Sequence, residues 1–373
     1  MRVIFDEMKI VIDSHIPYIK GVLDTYADVV YIPAEKIDKA AIRDADILII
    51  RTPTKCTPAL LEGSRCKYIA TASIGFDHIN TPYCAEHGIL WNNAPGCNSY
   101  SVAQYILCSL LLFLKEKQLS PADLKVGIIG AGHVGSAVAH HLKTVGFDVL
   151  LNDPLRAEDE GEDSFVTLEE IASRCDIISL HTPLTKSGKF STYHLADKCF
   201  FNSLKRKPLF INSARGGVAD DKALLAAKLS GKICGFIIDC WENEPHGIYL
   251  PLLDEAFIAT PHIAGYSDDG KANGSHIVVN QVARYMGINP DKRLYPELPD
   301  NNTIDLQTES DILLSAVLRS YDPRCDSALL KENPASFEHF RVNYPFRREF
   351  KAYKVVNYGI DYAAILKELG FVL

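Results

Sequence analysis

The sequence predicts an α/β chain of two doubly wound, parallel-sheet domains followed by a small α+β C-terminal domain. Three observations predict it. Short apolar runs alternate with helical segments in two successive series, a glycine-rich turn follows the first run of the second series, and a proline-marked break precedes the last segment. With 373 residues, 47% of them hydrophobic, the chain is too long for one ordinary core and long enough for two or three.

In the first series, Ile10–Ile12, Val29–Ile32, Ile47–Ile50 and Tyr68–Ala70 read as strands. A long helix follows from about Ser99 to Lys117, and Ser120-Pro121 breaks the chain. The second series places strands at Val126–Ile129, Asp148–Leu151, Ile177–Leu180, Leu209–Asn212, Gly235–Ile238 and Phe257–Ala259. A helix from Gly270 to about Met286 is positioned to return to the first domain. Pro290, Pro296, Pro299 and the run Asp300-Asn301-Asn302 mark a linker. Beyond it, Leu313, Leu314, Val317, Leu318 and Tyr321 form a helical stripe, and Tyr353–Val356 a strand. The expected domains are therefore 8–100 with 270–288 for substrate, 101–269 for a dinucleotide, and 289–373 as an appended unit.

Composition excludes several classes. A net charge of −8 disfavours nucleic acid as the main partner, yet leaves room for an anionic substrate in a locally basic pocket. Ten scattered cysteines form no CxxC and no Cys/His cluster with zinc spacing, so free thiols and no metal are expected. The apolar run Tyr105–Leu114 is too short to span a bilayer and reads as a buried helix. The opening MRVIFDEMKIVID is no signal peptide, so no membrane partner and a cytoplasmic location are expected, with Met1–Glu7 dispensable.

Gly130-Ala-Gly132-His133-Val134-Gly135 directly follows the strand Lys125–Ile129 and opens a helix. The first glycine permits a tight turn, the second lets the backbone approach a pyrophosphate, and the third lets helix and strand pack closely, as in Rossmann domains. The helix start at His133 and Val134 offers unpaired amides to that anion. Asp153 ends the next strand, where a carboxylate accepts ribose hydroxyls and repels a 2′-phosphate, so NAD is the expected cofactor.

Three further motifs stand at carboxyl ends of expected strands, where open α/β sheets bind ligands. They are Asn212-Ser-Ala-Arg215-Gly-Gly217, Asp239-Cys-Trp-Glu242-Asn-Glu244-Pro245 and Thr260-Pro-His262-Ile-Ala-Gly265-Tyr266. A cation, a carboxylate and an imidazole are the groups needed to remove hydride from a 2-hydroxy acid: one holds the substrate carboxylate, one takes the hydroxyl proton, one orients the base. The residues alone do not separate Glu242 from Glu244.

The set GAGHVG, HTPLT, NSARGG, DCWENEP and TPHIAGY resembles the D-isomer-specific 2-hydroxyacid dehydrogenase family. That resemblance implies Arg215 for the substrate carboxylate, His262 as acid/base and Glu244 as its partner. It implies cofactor contacts at Asp153, Thr182, Asp239 and Gly265. Met8–Tyr18, Thr71–His78, Asn93–Asn98 and the tail Phe340–Glu349 are similar to a branch acting on a small phosphorylated 2-hydroxy acid. This branch carries the extra C-terminal domain and dimerises through it, which implies a homodimer. Substrate contacts would fall on Thr52, Ser73 and Tyr266. Arg51 and Lys55 are candidate cations for the substrate phosphate. The alternatives are another hydroxyacid dehydrogenase, such as one for 3-phosphoglycerate, and a non-catalytic NAD-sensing protein.

Overall fold

The computed structural model describes residues 8–290 and 294–373, so the expectation for Met1–Glu7 lies outside the described residues. The chain divides into two compact units. One holds the residues up to Asn98 with Ser267–Glu297, the other Ser99–Tyr266 with Leu298–Leu373.

In the first unit, five strands form one sheet: β1 Lys9–Asp13, β2 Asp28–Ile32, β3 Ile47–Ile50, β4 Tyr68–Thr71 and β5 Leu90–Asn92. Their order is β2-β1-β3-β4-β5, parallel throughout. The central strands are buried on both faces, which is why they read as continuous apolar runs. β5 was not foreseen. It is a three-residue edge strand with both ends exposed, too short to show a period. The helix Asp268–Met286 covers this sheet with Val278, Val279 and Val282. The Ser267 hydroxyl accepts the Gly270 amide at 2.8 Å to start the helix, and left-handed Gly287 ends it.

The second unit holds a six-stranded parallel sheet. Its strands are β6 Lys125–Ile129, β7 Asp148–Asn152, β8 Ile177–Leu180, β9 Leu209–Asn212, β10 Gly235–Ile238 and β11 Ile258–Ala259, in the order β11-β10-β9-β8-β6-β7. The strand order reverses between β6 and β8, and the loops leaving those two strands flank the crevice where such sheets bind ligands. The helix Ser99–Lys117 buries every side from Val102 to Leu114, as an all-round apolar helix must.

β12 Thr303–Asp305 and β13 Lys354–Val356 pair in parallel as a small separate sheet. β12 escaped the sequence because only its central Ile304 is buried. Residues 298–373 share the core of the second unit. Ile304, Val317, Tyr321, Phe350 and Phe371 belong to the same cluster as Leu107 and Val138. Beside Ser99–Lys117 runs the helix Ile312–Ser320, where Gln104 donates to the Ser320 hydroxyl at 3.2 Å.

The helix His133–Thr144 leaves the end of β6 under a tight steric constraint. A methyl group at Gly135 would stand 1.9 Å from the Gly130 carbonyl oxygen. Gly135→Ala is expected to cost about 2 kcal/mol or more through forced separation of helix and strand, read as a lowered urea midpoint at unchanged m-value.

Candidate active site

β9, β10 and β11 end side by side, and their three loops are locked together. Asn212, the last residue of β9, is fully buried. Its side-chain amide donates to the Arg215 carbonyl at 3.1 Å and the Cys240 carbonyl at 3.3 Å, and its oxygen accepts the Ala214 amide at 3.1 Å. Gly216 lies so close to the next loop that a Cβ there would meet the Trp241 carbonyl oxygen at 1.9 Å. The buried Trp241 indole in turn donates to the Thr260 carbonyl at 2.9 Å. Arg215 emerges from this lattice half-buried. It donates to the Ala214 carbonyl at 2.7 Å and has no carboxylate partner among the described residues. An uncompensated guanidinium of this kind suits an incoming anion.

His262 and Glu244 meet directly, Nδ1 against Oε1. The second Glu244 oxygen accepts the Trp241 amide at 3.0 Å. Burial pushes the Glu244 carboxyl up, but the adjacent His262 and its hydrogen bond hold it below the usual carboxylate range. Glu242 and Glu244, which the residues alone left open before the resemblance picked Glu244, have different partners. Glu242 pairs with His194 Nε2 at 2.6 Å, on the loop that follows β8. Its amide donates to the buried Asp221 carboxylate at 3.1 Å.

His262 adopts φ +57, the left-handed region that is costly for a residue with a Cβ. The surrounding bonds hold it there. Asp239, buried at the end of β10, accepts the Ile263 amide at 2.8 Å, the Ala264 amide at 3.0 Å and the Thr260 hydroxyl at 2.6 Å. Burial pushes the Asp239 carboxyl up, against the pull of His262 and these bonds. From the C-terminal segment, buried Arg347 donates to the carbonyls of the same two residues, Ile263 and Ala264, at 3.3 Å each. Its guanidinium lies 3.7 Å over the Tyr321 ring and also reaches the Ser101 carbonyl at 2.8 Å. The loop carrying His262 is thus gripped on its N–H side by a carboxylate and on its C=O side by a guanidinium.

The glycine turn lies at the end of β6. Gly130 has φ +90, and a Cβ there would press within 2.8 Å of the Thr182 amide nitrogen. Around Gly132, by contrast, an added Cβ would meet nothing within 4 Å, so the backbone is open to a ligand. His133 and Val134 form the first turn of the helix, whose amides have no preceding carbonyl to pair with. Asp153 directly follows β7, with one oxygen on the Ala131 amide at 2.9 Å and the other on the Arg156 amide at 3.2 Å. Arg156 is itself paired with Glu160 at 2.7 Å. Thr182 Oγ1, Ser213 Oγ and His181 Nδ1, on the loops after β8 and β9, are buried without a hydrogen-bond partner among the described residues. Burial pushes the His181 imidazole down to about 3, so it stays neutral. Open glycine, helix start, strand-end carboxylate and orphaned polar atoms together fit a dinucleotide. Gly265 lies two residues beyond Ile263, half-buried, in the loop held by Asp239.

In the first unit, Arg51 follows β3 and donates from Nε to the buried Asp13 at 2.8 Å. Thr52 and Lys55 are exposed beside it. Ser73 belongs to a short hydroxyl chain, 2.8 Å from Thr71 Oγ1 and 2.9 Å from the Gly75 carbonyl that accepts from it. Sequence reasoning missed Arg347 and Arg341, the latter reaching the Tyr266 hydroxyl at 3.4 Å. Their signal was a cluster of arginines within the aromatic tail Phe340–Phe350. Among the described residues no group of three His, Cys, Asp or Glu side chains is placed to hold a metal ion, and no helix is long and apolar enough to cross a membrane.

Residues 114–264 match the NAD-binding domain of D-isomer-specific 2-hydroxyacid dehydrogenases, and residues 296–370 match a domain of unknown function. The chain is 49% identical over 350 residues to an erythronate-4-phosphate dehydrogenase of Bacteroides thetaiotaomicron, covering 94% of this chain and 99% of that one. It is 42% identical over 369 residues to the enzyme of that name from Porphyromonas gingivalis, covering 98% and 100%. Among solved structures, a D-lactate dehydrogenase of Aquifex aeolicus complexed with NAD and lactic acid superposes with a TM-score of 0.61 at 28% identity, over 74% of this chain and 96% of that one.

Burial pushes the Asp221 carboxyl up to about 7. A carboxyl raised in the folded state adds stability fully present below its unfolded value, near 4, and lost as pH rises to about 7. Asp221→Asn, which removes the titration, is therefore expected to gain on the natural protein by up to about 4 kcal/mol between pH 4 and pH 8. Urea titrations of both proteins across that range would show it. A difference independent of pH would contradict it.

Proposed function

The chain belongs to the erythronate-4-phosphate dehydrogenase family, and on that premise we propose that it oxidises the 2-hydroxyl of 4-phospho-D-erythronate with NAD, giving 3-hydroxy-2-oxo-4-phosphooxybutanoate on the route to pyridoxal 5′-phosphate. The observation that carries the reading is the Glu244–His262 pair, on loops interlocked with the one that bears Arg215, which has no carboxylate partner among the described residues, on the same sheet edge as the glycine turn.

Bound NAD supplies the acceptor for the hydride that leaves C2. The chain's own residues supply the rest. His262 has Nδ1 engaged by Glu244, so its Nε2 is the atom that takes the hydroxyl proton. Glu244, ionised below the usual range, stabilises the imidazolium that results. Arg215 holds the substrate carboxylate in a bidentate grip and polarises the developing carbonyl. The oxidation releases the 2-oxo acid, NADH and one proton.

Gly130, Gly132, Gly135, His133 and Val134 take the pyrophosphate, Asp153 the ribose hydroxyls, and Thr182 and Gly265 line the remainder. Asp239 serves the cofactor side through the loop it holds, since its oxygens are already engaged there. Thr52, Ser73, Tyr266 and the terminal nitrogens of Arg51 contact the substrate. The working form is a homodimer joined through residues 289–373, in the cytoplasm.

His262→Ala is expected to lower kcat by about 10²–10⁴-fold while NADH affinity, read by fluorescence titration, changes only a few-fold. A kcat close to that of the natural protein would overturn the assignment. Turnover of 3-phosphoglycerate in preference to 4-phospho-D-erythronate would overturn the substrate.

A further inference from the structure

A substrate with a carboxylate at one end and a phosphate at the other needs two anion sites, and Arg215 accounts for one. The cations expected from sequence for the other are poorly suited to it. Arg51 already spends its Nε and much of its charge on the buried Asp13, and Lys55 is exposed. The C-terminal segment brings a third cation to the edge that carries His262.

Arg341 lies near the end of the helix Phe337–Val342, which the buried Phe337 anchors in the core of the second unit. The three nitrogens of its guanidinium are unequally used. Nη1 donates to Glu338 at 3.1 Å, a pair whose carboxylate is half-exposed and therefore contributes little. Among the described residues Nη2 makes only a long 3.4 Å contact with the Tyr266 hydroxyl, and Nε is buried with no hydrogen-bond partner. Nε and Nη2 form the side-on edge with which arginine grips an oxyanion by two parallel hydrogen bonds. A buried N–H donor left without an acceptor is rare and marks either strain or an absent ligand. The edge lies against Tyr266, four residues beyond His262. Arg341 also exerts its charge on Glu244, and burial pushes the Cys240 thiol well up against the smaller opposing pull of Arg215 and Arg341.

We propose that Arg341 is a specificity residue that binds the phosphate of the substrate through its Nε–Nη2 edge, replacing the long contact to Tyr266. This rests on the proposed activity toward a phosphorylated hydroxy acid. It gives the tail module, residues 296–370, a direct part in substrate selection.

Two measurements on the full-length protein decide it. The first compares kcat/KM for 4-phospho-D-erythronate and D-erythronate in the natural protein and in Arg341→Gln and Arg341→Lys. Loss of a charged hydrogen-bond pair should cut the preference for the phosphorylated substrate roughly 100-fold in Arg341→Gln, mostly through KM, with an intermediate loss in Arg341→Lys. The pH profile of kcat should stay in place. Equal losses on both substrates, or a displaced pH profile with an unchanged preference, would overturn the proposal. The second titrates inorganic phosphate into the NAD-loaded protein by calorimetry. Phosphate should bind the natural protein and bind Arg341→Gln at least 10-fold more weakly. Equal affinity would overturn it. The titration needs no turnover, so it judges Arg341 even if 4-phospho-D-erythronate proves not to be a substrate, a result that would sink the activity instead.

Discussion

Holding a histidine in a backbone conformation it would not choose is the constraint on which this candidate active site depends. His262 has φ +57, and nothing intrinsic to Thr260-Pro261-His262 favours that. The burden falls on Asp239, a buried carboxylate that accepts two successive amides and a hydroxyl, and on Arg347, which binds the carbonyls of the same two residues. Trp241, through its indole and its amide, then ties the β11 loop and Glu244 to the loop at the end of β10. Each bond is ordinary in strength. Their convergence on four residues fixes the direction in which the imidazole points.

Much of the scaffold was legible because its physics is local. Strands buried on both faces, such as Ile47–Ile50, Ile177–Leu180 and Leu209–Asn212, announce themselves as apolar runs, and the helix Ser99–Lys117 does so by being apolar all round. β5 and β12 did not, because three residues with exposed ends leave no period to read. The glycine turn was legible in detail. Its three glycines face three different environments: Gly130 is strained, Gly132 open and Gly135 sterically closed.

The partnership within the catalytic loop was not legible from residues alone. Glu242 and Glu244 stand two apart in an irregular segment, and each pairs with a histidine, His194 or His262, supplied by a different loop. The family resemblance picked Glu244 for His262, and the fold places each glutamate against its own histidine. Arg341 and Arg347 were hidden for the same reason. Their sequence neighbourhood is aromatic, and their partners, Tyr266, Ile263 and Ala264, lie about 75 to 84 residues upstream.

The dependence of the His262 loop on Arg347 has a temporal consequence. A ribosome making this chain emits the glycine turn, the arginine and the histidine long before the guanidinium that steadies the histidine's loop. Until Arg347 has been added, the growing polypeptide carries Arg215, Glu244 and His262 but holds the His262 loop only by the bonds from Asp239 and Trp241.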